Sequence, residues 1–77
     1  MHAMQQKKIK EYVLGGYISD FTVNQNANQR WEIEFTYRGT KGYKLEARRG
    51  QVREFTRLNG IYKWMLNIGV KEFKVLL

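Results

Sequence analysis

Seventy-seven residues carry a formal net charge of +7, no cysteine and a single histidine, His2. A chain of this length makes one domain, with a core worth only ~5 kcal/mol of net stability. The missing cysteine excludes a disulfide framework and a thiolate metal site. No apolar run nears the ~20 residues that span a bilayer, and the N-terminus has no apolar signal segment, so a cytoplasmic protein without membrane contact is expected.

Met1–Met4 reads as a cloning remnant ahead of a natural start at Met4, and it contains the only histidine. Gln5–Leu14 is either a short helix, with Ile9, Tyr12 and Val13 at helical spacing and Gly15 as its stop, or an extended basic arm carrying Lys7, Lys8 and Lys10. The N-terminal helix or arm thus occupies residues 5–16. Tyr17–Val23 has strand composition with imperfect alternation, and Asn24–Gln29 (NQNANQ) reads as a polar turn.

Trp31–Arg38 is the clearest strand: Trp31, Ile33, Phe35 and Tyr37 alternate with Glu32, Glu34, Thr36 and Arg38. Gly39–Gly42 turns the chain, and Tyr43, Leu45 and Ala47 alternate with Lys44, Glu46 and Arg48. Pairing the apolar rows predicts Tyr37 opposite Tyr43, which sets Glu34 against Glu46 and Glu32 against Arg48; a slipped register pairs Tyr37 with Leu45. Gly50 breaks the strand. A helix starts within Gln51–Thr56 and runs to Ile68, with Gly69 as its stop. Its apolar stripe is Leu58, Ile61, Tyr62, Met65 and Ile68, with Phe55 at the edge and Trp64 on the polar flank. Phe73, Val75 and Leu77 then mark a closing strand.

The expected fold is α+β, a small two-layer domain over residues 1–77. A three-stranded antiparallel sheet with its central hairpin at 31–49 packs on one amphipathic helix at about 54–68. A short C-terminal strand and the N-terminal helix or arm complete it.

Charge is concentrated. Arg38, Lys41, Lys44, Arg48, Arg49, Arg53, Arg57 and Lys63 face only Glu46 and Glu54 across residues 38–63, a net +6 in one third of the chain. Such a footprint suits a polyanion better than an evenly basic surface does. The candidate nucleic-acid-binding residues are these eight together with Asn59. The hairpin face (Arg38, Lys41, Lys44, Arg48) fits a groove as a two-stranded ribbon, and Asn59, Lys63 and Asn67 line one helix face with residue types that pair with base edges. An exposed Tyr17, Tyr43 or Trp64 beside an arginine would add base stacking on single strands.

A catalytic triad is excluded by composition, and the seven acidic residues are too scattered for a metal site. No catalytic residue, metal, cofactor or small-molecule substrate is expected. The expected function is non-enzymatic nucleic-acid binding, double-stranded DNA ahead of RNA. In element order the chain resembles the arm-type DNA-binding domains of integrases and other small proteins of mobile elements, which implies a regulatory or accessory role there. Two alternatives stand. One is a protein-interaction module that sets its basic face against an acidic partner, or forms a homodimer through the C-terminal edge strand. The other is a small basic ribonuclease using Glu46 or Glu54 as base beside Arg48, Arg49 and Arg53.

Overall fold

The computed structural model describes residues 2–77. In chain order the elements are β1 (His2–Gln5), α1 (Gln6–Leu14), β2 (Ile18–Gln25), β3 (Trp31–Tyr37), β4 (Thr40–Glu46), α2 (Leu58–Ile68) and β5 (Lys74–Leu76). The strands form one mixed sheet of order β1-β4-β3-β2-β5. The expected three-stranded antiparallel sheet is its centre, β2-β3-β4. Two further strands extend it: β1 joins β4 in parallel, with Met4 beside Leu45, and β5 joins β2 in parallel, with Val75 beside Val23. Residues 2–4, read with Met1 as a remnant, therefore belong to a strand, and burial of Met4 stabilises it by roughly 1.5–3 kcal/mol.

Both helices contribute to one hydrophobic cluster with the sheet, through Ile9 of α1 and through Ile61, Trp64, Met65 and Ile68 of α2. Phe35, Ile33, Leu45 and Val23 are its sheet-side centre. The opposite sheet face carries the polar set Thr22, Glu32, Glu34, Thr36 and Lys44. Residues 6–14 are a helix and not an arm, because burying Ile9 with Tyr12 and Val13 half-covered outweighs the lack of an N-cap. The helix ends as the Gly16 N–H bonds Val13 O and the Tyr17 N–H bonds Tyr12 O, a Schellman closure that needs the positive φ of Gly16 (77°).

Other expectations are corrected as well. β2 runs to Gln25 and the loop is shifted to 26–30, because Asn24 and Gln25 pair with Glu32 and Trp31. The imperfect alternation of β2 is a bulge: Asp20 takes φ 57°, one extra residue is absorbed, and Ile18, Phe21 and Val23 all reach the core. In the hairpin, Arg38 and Gly39 (φ 49° and 83°) form a two-residue turn that pairs Tyr37 with Thr40. A second bulge at Gly42 (φ 87°) then sets Phe35 opposite Tyr43 and Glu34 opposite Lys44. Neither expected register occurs, and the Glu34–Glu46 clash is avoided.

The last correction concerns residues 47–57. The hairpin strand ends at Glu46, not at residue 49, and Ala47–Gln51 form a tight reversal with Gly50 at φ 89°. The returning segment is extended: the Arg53 N–H bonds Leu45 O, and Phe55 exchanges both backbone hydrogen bonds with Trp31. It thus wedges between the diverging ends of β3 and β4, whose mutual pairing stops at Glu34 and Lys44. These sheet bonds hold the backbone extended and delay α2 to Leu58, four residues after the expected start. The buried face of α2 is also rotated: Trp64 is inside, while Leu58 and Tyr62 are exposed.

Candidate nucleic-acid interface

Strand direction decides which charges meet. β1, β4, β2 and β5 run one way and β3 the other, so Gln5, Glu46, Gln25 and Trp31 all lie at one end of the sheet. α1 leaves β1 at this end. α2 begins there too, three residues after Phe55 is tied to Trp31. Both helices therefore point their N-termini at the same end. Neither has a side-chain cap or an acidic residue in its first turn, so no residue within either first turn offsets the positive end of its dipole. Glu46, paired in the sheet with the α1 N-cap Gln5, is a carboxylate at this end.

Four of the expected arginines gather here. Arg48 and Arg49 are the exposed tip of the Ala47–Gln51 reversal. Arg57 is the exposed residue that leads into α2. Arg53 is half-buried and held rigidly: its Nη1 donates to Gln6 Oε1 at the start of α1, and its guanidinium lies 4.7 Å from the centre of the Phe55 ring. Asn59, in the first turn of α2, is exposed at the same end. Two cations outside the expected set join them: Lys7, which the sequence marks only as part of a basic helix or arm, in the first turn of α1, and Arg30 at the close of the 26–30 loop. Only the topology makes them neighbours of residues some 20–40 positions away, so no local signal reveals them. A cleft of about 600 Å³ opens between Gln5, Lys7, Glu46, Arg48 and Arg53.

The remaining expected residues are elsewhere. Arg38 and Lys41 flank the β3–β4 turn at the far end, about 20 Å away along β3. Lys44 sits on the polar sheet face with its ammonium 2.7 Å from Glu32 Oε1, so its charge is internally compensated. Lys63 is exposed on α2 one turn beyond Asn59, with Asn67 a further turn along. Hairpin and helix thus do not present one continuous basic face. Of the two carboxylates considered as bases, Glu46 accepts from Gln5 Nε2 at 3.4 Å within the cleft, and Glu54 is held by Asn26 Nδ2.

Among the described residues no group of three His, Cys, Asp or Glu side chains is placed to hold a metal, and no helix is long and apolar enough to cross a membrane. No protein-family model matches the chain, and neither a curated protein nor a solved structure matches it.

Proposed function

We propose that this chain is a non-enzymatic nucleic-acid-binding protein that grips the phosphate backbone at its basic end. One observation carries the reading: two helix N-termini with no acidic residue in their first turns share one end of the sheet with Arg48, Arg49, Arg53 and Arg57, and with Lys7 and Arg30. Backbone dipoles and guanidinium groups there favour the same kind of ligand, the anionic oxygens of a phosphate backbone, and the packed Arg53 gives the grip a fixed geometry. The sheet face supports groove reading less well, because Lys44 is spent on Glu32 and Glu34 lies beside it.

Fluorescence anisotropy with a labelled duplex over a salt series tests this. Affinity falls log-linearly with salt, and Arg48→Ala/Arg49→Ala lowers the slope by about 1.8, that is ~0.9 per lost phosphate contact. These two residues are the right targets because they lie at an exposed tip; Arg53 is also structural. An unchanged slope and affinity in the double variant overturns the proposal.

A second reading rests on β5. It is an edge strand whose three residues are all exposed, with Val75 and Leu76 among them, and an added strand from a second copy would cover it. Sedimentation that stays monomeric at high concentration removes this reading.

A further inference from the structure

The turn end carries a different chemistry. Tyr17 is 47 % exposed, and the Arg38 guanidinium carbon lies 4.6 Å from its ring centre and 5.5 Å from that of Tyr37. The Tyr17 ring is held from other sides as well. Tyr12 meets it edge-on at 6.2 Å, and Gly15 approaches so closely that a Cβ there would stand 2.8 Å from Tyr17 Cε2. Arg38 itself is exposed and occupies a left-handed turn position (φ 49°) that Asn, Asp or Gly takes more readily. An arginine is thus kept at an unfavourable backbone position with its planar cation set against an aromatic ring and its outer side open to solvent. Charge does not distinguish this end. The adjoining groove sets Lys41, Lys71 and Lys74 against Asp20, Glu34 and Glu72.

We infer that Arg38, backed by Tyr17, is a stacking site for an unpaired nucleobase, so the nucleic acid bound is single-stranded where it crosses this end. A guanidinium plane and an aromatic ring both stack on any base, and a base inside a duplex cannot present its face. The inference rests on the basic end as the phosphate grip. About six nucleotides at ~3.4 Å or more each cover the ~20 Å from that end to Arg38, so a strand of about twelve nucleotides occupies both ends.

The test compares three labelled probes of that length by anisotropy: an intact single strand, the same strand with abasic sites, and a duplex. Wild type binds the intact strand about tenfold tighter than the abasic one. Arg38→Lys keeps the charge and the salt slope but abolishes this preference. Arg38→Asn also abolishes it while the melting temperature is held or raised, because Asn-Gly is a favoured pair for this turn. Equal binding of intact and abasic strands by wild type overturns the stacking site, as does a preference that survives Arg38→Asn. Loss of affinity for all three probes in Arg48→Ala/Arg49→Ala leaves the phosphate grip standing in either case. Binding of every probe unaffected by that double variant overturns the grip.

Discussion

At Asn26 one side chain serves four partners. Its Oδ1 accepts the N–H groups of Asn28 (2.9 Å) and Arg30 (3.1 Å), which shapes the 26–30 loop, and its Nδ2 donates to Glu32 and Glu54. Replacing it with alanine removes the loop's internal acceptor and costs about 2 kcal/mol, read from urea midpoints. Burial works against charge on Glu32, but hydrogen bonds from Asn26 and Lys44 and the Lys44 charge outweigh it and bring its carboxyl below the ordinary 4.5. A carboxyl lowered on folding stabilises fully above its unfolded pKa, and that contribution is lost as pH falls through the folded value. Stability therefore declines on acidification below about pH 4.5, and Glu32→Gln, less stable at neutral pH, loses part of that decline. A Glu32 variant whose acid slope matches wild type removes this account.

Within α2 the contest is between Tyr62 and Trp64, which flank the shared centre of Ile61, Met65 and Ile68 on opposite sides. Trp64 takes the interior, where its larger ring packs against Phe55 (6.5 Å, 63°) even though its buried Nε1 finds no hydrogen-bond partner, while Tyr62 is left more than half exposed. Trp64→Ala accordingly costs about 3–5 kcal/mol, close to the whole stability of so small a chain, whereas Tyr62→Ala costs under about 0.5 kcal/mol. Gly60 is helical and a methyl there would meet Phe55 Cδ2 at an ordinary 3.7 Å, so Gly60→Ala raises stability by roughly 0.5–1 kcal/mol. Thermal denaturation ranks all three. Elements set by period or glycine were readable in the sequence: β3 by its strict alternation, the end of α2 by Gly69, the β3–β4 turn by Gly39. What escaped was decided by distant partners. The 52–55 wedge depends on backbone groups of Trp31 and Leu45, and the hairpin register depends on a bulge at Gly42 that apolar alternation does not encode. Arg48, Arg49, Arg53 and Arg57 were found as a cluster because they are close in sequence; Lys7 and Arg30 were not, since only the fold brings them there.

For the molecule as a whole, the question is whether net charge or its placement governs affinity for a polyanion. At physiological salt the screening length is about 8 Å, well short of the ~20 Å between the two ends of β3, so a distant cation contributes little to a phosphate held at the basic end. Two variants of equal net charge separate the possibilities. Arg48→Ala/Arg49→Ala removes two cations from the convergence of the helix N-termini. Lys41→Ala/Lys71→Ala removes two exposed cations from the turn end of the sheet. If placement governs, the first loses on the order of tenfold to a hundredfold in affinity near 0.1 M salt, and the second loses no more than about threefold. If total charge governs, the two fall together and the salt slopes coincide. Because all four residues are exposed, neither variant disturbs the core, and matched melting temperatures verify that the comparison reports electrostatics alone. Coincident losses would reduce the basic end to a general attraction, and the convergence of dipoles and arginines would then be incidental to binding.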